Sequence, residues 1–363
     1  MKIQVSESVG LGHPDKIADV IADKLLEVVL EKDIRAQFAC EVLTSQNLIV
    51  VAGELTTSYK EKLDVEGIVS EILLNLGYEV SRFSIVSNLK EQSLDIRSTS
   101  IEGGIVSGDQ SVVLGYASNE TTNYMPLAFN VATDLTRTLN NCISNNEIVG
   151  GKYDCKSLVV IEDKKIRTLI LSVQHDIDVD LGLFKEELYS KVVLPSLNKY
   201  SLVFDKSDLL INQSGKFVIG GLDADTGLTN RKLIVDSYGT SVRHGGGGYS
   251  GKDLTKVDRL GAYYARWMCK NIVAAGLCSY LELELVFHYG SAEPLIIIKN
   301  TDSLHDLKSI IPKVFPIKFA EIYELFNKPI KYSKLACYGH FGREELDLPW
   351  EKLDMVDKLK SIL

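Results

Sequence analysis

One kind of unit recurs three times along the sequence, and that recurrence restricts the fold more than any other feature. Each unit reads as a long amphipathic helix followed by two strands. The first helix is expected over about 14–30, with Ile17, Val20, Ile21, Leu25 and Val28 on one face. Pro14 suits its first turn, where a missing N–H costs nothing. Strands near 35–44 and 47–55 follow, joined at Ser45-Gln46-Asn47. The second helix, about 126–142, has Pro126 at its start and turns Leu127, Val131, Leu135 and Leu139 to one side. It leads into SLVVIE and IRTLILSVQ across the polar turn DKK. The third, about 256–275, leads into YLELELVFHYG and PLIIIK. Alternation in LELELVF predicts a strand with one wet face. HPDK at the head of the first helix has an echo in KVDR at the head of the third. These units predict an α+β fold of three similar helix-plus-sheet domains, although α+β chains can alternate this way without a repeat.

At 363 residues the chain exceeds one ordinary core, so two or three domains are expected. It is 45% hydrophobic and 25% charged, as in a soluble globular protein. No apolar run approaches the roughly 18 residues of a membrane span. The opening MKIQVSESVGLGHPDK shows no apolar signal region. Six cysteines, none in a CxxC pair, read as reduced thiols of a cytoplasmic protein. A net charge of −9 argues against nucleic acid, which calls for a broad basic face. A small phosphorylated ligand needs only a few local cations and stays open.

Four glycines stand together in RHGGGGYSGKD, Arg243 to Asp253. Bare backbone lets N–H groups approach an anion closely. A flexible surface loop would also carry glycines, but Arg243, Lys252 and Lys256 add cationic donors and Asp258 a possible magnesium ligand. One register, Gly246 to Lys252, nearly spells a P-loop. It fails because Asp253 replaces the magnesium-binding Ser or Thr, and SYGTSVRH interrupts the strand that should precede it. GHPDK places His13, Asp15 and Lys16 at a helix start, where an Asp also simply complements the dipole. GLDADTGLTNRK brings Asp225, Arg231 and Lys232; if these lie on a strand, the two cations point to opposite faces and one is only solvated. YDCKS holds Asp154 and Lys156 and could be a plain turn. Glu41 and Glu54 lie on the two neighbouring strands of the first unit. Together these are carboxylates for hard cations and Lys/Arg for a polyphosphate. Zinc spacings, a GxSxG elbow and a GxGxxG fingerprint are missing from the sequence.

These segments carry a resemblance. ESVGLGHPDKIADVIAD, GELTT, GDQSVVLGYASNET, YDCKS, LSVQH, FVIGGLDADTGLTNRKLIVDSYG, RHGGGGYSGKDLTKVDR, NIVAAGL and YGHFGRE…LPWEK resemble, in order, the S-adenosylmethionine synthetase family. The resemblance implies an α+β fold of three similar domains with approximate internal threefold symmetry, here 1–100, 104–217 and 218–363. It implies a homodimer or homotetramer with active sites between subunits, and joining of ATP to L-methionine with release of phosphate and diphosphate. Two Mg2+ per site and K+ are the expected cofactors. By resemblance, His13 contacts the triphosphate near the scissile bond, Asp15 and Asp258 bind magnesium, and Glu41 serves potassium. Glu54 holds the methionine amino group, and Asp225 serves methionine and adenosine. Lys156, Arg231, Lys232 and Lys252 match the polyphosphate cations, with Lys256 reaching methionine and phosphate. Asp109 and Asp154 fall on further matching positions, Phe217 beside the adenine with Lys216 preceding it, and Gly248 in the adenine-side loop, where alanine is usual. After EQSLDI the text RSTSIEGGIVS is shorter than the family gate by about three residues, with Ser98 in place of a methionine-contacting glutamine. A weaker grip on the amino acid is the expectation. An inactive regulatory relative and a P-loop-like kinase are the alternatives; the first should have lost charged site residues, and these remain.

Overall fold

The computed structural model describes residues 2–59, 62–92 and 105–362. Ser98 and most of the shortened gate lie outside the described residues. The three long helices form where their apolar spacing places them: α1 Pro14–Lys32, α2 Leu127–Ser144 and α3 Val257–Ala274. Each is followed by an antiparallel hairpin: β2 Gln37–Ser45 with β3 Leu48–Thr56, β6 Gly151–Glu162 with β7 Lys165–His175, and β10 Tyr280–Phe287 with β11 Leu295–Thr301.

Each helix is also preceded by a strand, and that strand leaves its own unit. β1 Ile3–Val9, before α1, pairs with β6 of the second hairpin. β5 Ser111–Ser118, before α2, pairs with β10 of the third. β9 Gly227–Leu228, before α3, pairs with β2 of the first. With β4 Ser84–Lys90 and β8 Leu209–Ile211 added, the sheets run β4-β3-β2-β9, β1-β6-β7-β8 and β11-β10-β5. The exchange is cyclic, so each of the three sheets holds a strand from beyond its own stretch of sequence.

Two apolar cores fill the interior. One packs α2 against the β6–β7 hairpin through Val131, Leu135, Leu139, Val159, Leu169 and Leu171. The other joins α1, α3 and the remaining sheets through Ile17, Ile21, Phe38, Val51, Leu260, Trp267 and Leu283. α3 departs from an amphipathic helix, because its polar face is buried too. Arg259 pairs with Asp23 at 2.7 and 3.0 Å, and Arg266 and Lys270 share Glu351. Buried charges persist only when paired and hydrogen-bonded. The strand expected to have a wet face does so only in part: Glu282 is buried, with Arg243 3.8 Å away.

Candidate active site

The edge of β2 that faces away from β3 organises the site. Two loops far apart in sequence dress that edge side by side. Thr229 N–H donates to the Val42 carbonyl, and the Val42 N–H to Thr229 Oγ1. Farther along, Cys40 N–H donates to the Gly251 carbonyl, and Asp253 N–H to the Phe38 carbonyl. Asp253, the residue that breaks the P-loop pattern, returns the bond by accepting the Phe38 N–H at 2.6 Å. Its buried carboxylate fastens the glycine loop to the sheet. No strand leads into that loop, which is entered from a short 3-10 turn at Gly239–Ser241, so the P-loop reading fails structurally as well.

The first loop meets the head of α1. His13 caps that helix, its Nδ1 accepting the Asp15 N–H at 3.2 Å. Asp15, in the first turn, accepts from Leu228 N–H at 2.9 Å and Lys232 Nζ at 2.6 Å, with Arg231 Nη1 at 3.5 Å. The backbone at 231–232 is a turn and not a strand, so both cations face one carboxylate, against the alternation expected. Burial raises the Asp15 pKa, but the Lys232 and Leu228 hydrogen bonds outweigh it and hold the group below the ordinary carboxylate value. Burial, and then Lys232, push His13 down to about 4, so its ring is neutral near pH 7. Lys16, the last residue of the same motif, points inward. It is wholly buried between Asp19, at 2.9 Å, and Asp236, and it holds α1 in place.

β1 and β6 add a flank. Lys156, half exposed, pairs with Glu7 at 2.7 Å. Asp154 accepts the Gly221 N–H at 2.7 Å, and burial, with Asp225 adding charge, raises its pKa. Asp225 is exposed and accepts the Thr226 N–H, while Arg231 donates to the Thr226 carbonyl at 3.1 Å. Phe217 and His175 exchange two hydrogen bonds at 2.9 and 3.0 Å, with Lys216 exposed beside them. A cavity of about 380 Å³ lined by Gly12, Tyr78, Arg82, Asp154 and Gly220 opens next to this flank.

The second loop carries the other cations. Lys252 Nζ lies 2.7 Å from Asp258 Oδ2, and Ser111 Oγ donates to Asp258 Oδ1 at 2.6 Å. Asp258 stands in the first turn of α3 as Asp15 does in α1, so the HPDK/KVDR echo is a structural equivalence. A Cβ on Gly247 would fall 2.3 Å from Asp258 Oδ1, which is why that position is bare. Lys256 caps α3 and reaches Thr255 Oγ1 at 3.3 Å. Asp109, on the approach to β5, accepts the Gln110 N–H. Glu41 accepts a hydrogen bond from the Thr229 hydroxyl and faces outward, and Glu54, in register with Ala39, faces the same way.

The candidates thus form two groups along one strand edge: His13, Asp15, Arg231 and Lys232 near residue 43, and Lys252, Lys256 and Asp258 near residue 39. At roughly 3.3 Å per residue the anchoring points are about 13 Å apart. Among the described residues no hydrogen bond or ion pair joins the side chains of the two groups. Sequence reasoning missed Glu7, Ser111 and Thr229, which hold Lys156, Asp258 and Glu41. Their partners come from elements distant in sequence, and no local spacing announces them. A further cavity of about 760 Å³ holds none of the candidates, and its Arg137 and Lys199 are both paired to Asp134.

Comparison with known proteins fits this geometry. The chain matches family models for the S-adenosylmethionine synthetase N-terminal domain over 1–100, the central domain over 104–217 and the C-terminal domain over 219–352. It is 44% identical to the S-adenosylmethionine synthase of Mycoplasmopsis pulmonis over 98% of this chain and 97% of that protein. The synthase of Mycoplasmopsis synoviae is 38% identical over 100% and 98% of the two chains. That of Clostridium tetani is 37% identical over the full length of both.

Proposed function

The chain belongs to the S-adenosylmethionine synthetase family and is an ATP-dependent methionine adenosyltransferase, and from that premise we propose how its residues share the work. The reaction joins ATP and L-methionine to S-adenosylmethionine, with water consumed and phosphate and diphosphate released. The methionine thioether is neutral and has no proton to lose, so the first step needs no general base. The barrier lies in the triphosphate, which gathers charge as it leaves C5′. Fixed cations aimed at that charge lower the barrier without reorganising.

The observation that carries this reading is the convergence of Arg231 and Lys232 on Asp15 beside a neutral His13. His13, Arg231, Lys232, Lys156 and Lys252 are proposed to hold the triphosphate, with Lys256 serving phosphate and the methionine carboxylate. Asp154 and Asp225 bracket the nucleoside, Phe217 and Lys216 stand on its base side, and Gly248 lines it. Glu54 takes the methionine amino group. Asp15 and Asp258 are hard oxygen donors beside the proposed phosphate-binding cations, and they would hold Mg2+. Glu41 with the Thr229 hydroxyl suits K+. Bound magnesium would supply charge neutralisation on the triphosphate. With Mg2+ held by Asp15 and Asp258, Lys232 and Lys252 would be free to engage phosphate.

Two copies are proposed to complete the site, as a dimer or a pair of dimers. The outer face of the β4-β3-β2-β9 sheet carries Leu48, Val86 and Leu228, all exposed, and Glu41 and Glu54 stand on the same face. Such an apolar face calls for cover, and covering it with a second chain would bring the one chain's Asp15 group against the other's Lys252 group. ATP and methionine are then the partners, with neither nucleic acid nor membrane involved; no described helix is long and apolar enough to cross a membrane. The six unpaired thiols suit the cytoplasm, and the proposed domains are 1–100, 104–217 and 218–363. The test is phosphate and diphosphate release from ATP that depends on methionine; ADP as product, or no turnover, would contradict it.

A further inference from the structure

Asn230 links the two cation-bearing loops directly. Its backbone sits in the left-handed region, φ +62°, and its N–H donates to Asp19 Oδ1 at 2.8 Å, which anchors it to α1. Its side-chain amide reaches across to the glycine loop. Nδ2 donates to the Ser250 carbonyl and Oδ1 accepts the Ser250 N–H, both at 3.1 Å. Arg231 and Lys232 follow Asn230 directly, and Lys252 follows Ser250 by two residues. One amide therefore sets the spacing between the cations of one loop and the lysine of the other.

That amide needs room, and Gly248 provides it. Gly248 is buried, and a Cβ built on it would lie 2.3 Å from Asn230 Cγ and 2.5 Å from its Oδ1. Non-bonded carbons meet at about 3.5 Å, so a methyl group at 248 and the Asn230 amide cannot share this space. Alanine, expected at 248 by resemblance, is excluded here by a neighbour 18 positions upstream in the sequence.

We propose that Asn230 and Gly248 form a coupled positioning pair: the Asn230 amide fixes the glycine loop to the Arg231–Lys232 loop, and the bare backbone at 248 is the condition for it. The inference rests on the reading of Arg231, Lys232 and Lys252 as triphosphate cations. Asn230 acts through those residues and touches no reacting atom, so it governs the chemical step more than methionine binding.

The test is a double-mutant cycle on the full-length protein, with kcat counted per folded molecule and thermal midpoints recorded beside it. Asn230→Gly tolerates the left-handed backbone but loses both bonds to Ser250. It should lower kcat about tenfold and leave KM for methionine within about twofold, a split that a purely structural defect would not produce. Gly248→Ala should lose at least as much, because the methyl expels the amide. The double variant should match Asn230→Gly, about tenfold down, and not the roughly hundredfold of independent losses. If Gly248→Ala does not fold, the comparison of Asn230→Gly with the double variant still decides, because the methyl should cost nothing once the amide is gone. Losses that multiply, or either single variant at the parental kcat, overturn the coupling. Lys252→Ala, run alongside, tests the site reading separately. A multiplying cycle beside an inactive Lys252→Ala overturns the pair alone, and Lys252→Ala at parental kcat overturns both.

Discussion

Lys252 and Asp15 show how single side chains divide between chemistry and support. Lys252 lies on a loop, one-fifth exposed, paired with Asp258 and with no apolar surroundings to lose. Lys252→Ala is therefore expected to cost about 10²–10³ in kcat, as for other fixed groups that meet developing charge, with a stability change within about 1 kcal/mol. Parental turnover in steady-state assays would remove it from the mechanism. Asp15→Asn keeps the shape and removes the charge, so the magnesium concentration for half-maximal activity should rise severalfold; an unchanged titration would contradict its role. At this scale the sequence was informative about identity but less so about direction. HPDK marked His13 and Asp15, yet nothing in it told that Lys16 faces inward. The pair Arg231-Lys232 read as alternating because a strand was assumed, and the turn there aims both at Asp15.

The elements were legible where one period dominates. α1, α2 and α3 begin and end within two residues of where their apolar spacing puts them, because each lays a continuous stripe on a core. The β9 strand was not, since two residues carry no alternation, and its partners on β2 lie more than 180 positions away. α3 also hid its chemistry. No spacing in the sequence announces that Arg259, Arg266 and Lys270 are buried as pairs with Asp23, Glu351 and Glu344 from other elements. Around that helix the Tyr263 hydroxyl, which accepts from Arg259, lies 2.8 Å from His340 Nδ1, and His340 Nε2 is a buried atom with no partner among the described residues. Burial, with Arg259, Lys16 and Arg343 nearby, holds the His340 pKa well below its ordinary 6.5. The unfolded chain then binds this proton below pH 6.5 while the native state resists it, so stability falls as pH drops through that window. One such group contributes a slope of up to about 1.4 kcal/mol per pH unit. Denaturant titrations between pH 7 and 5 should show the parental slope reduced by about that amount in His340→Asn; equal slopes would show that His340 charges freely in the native state.

For the whole molecule, the question is how two half-sites become one. If Asp15 of one chain works with Lys252 of another, two impaired variants should rescue each other at a magnesium concentration that limits Asp15→Asn. In random mixtures of Asp15→Asn and Lys252→Ala, half of the dimers contain both chains. Such a dimer has one doubly damaged site and one intact site. Co-expression should then restore about a quarter of parental activity in the mixture, and about half in the isolated, differentially tagged mixed dimer, whereas a site made within one chain would stay impaired. Specific activities of the mixture and of the isolated mixed dimer measure this.

The circulation of β1, β5 and β9 among the three hairpins also bears on how the polypeptide is made. On the ribosome the first sheet stays open along β2 until Gly227 and Leu228 have emerged, and the opening strand waits for residues 151–162. A nascent chain that stalls midway therefore carries bare sheet edges, the surfaces most prone to aggregation. Chaperone dependence should be greatest for chains arrested before residue 228 and should drop once that residue has cleared the exit tunnel.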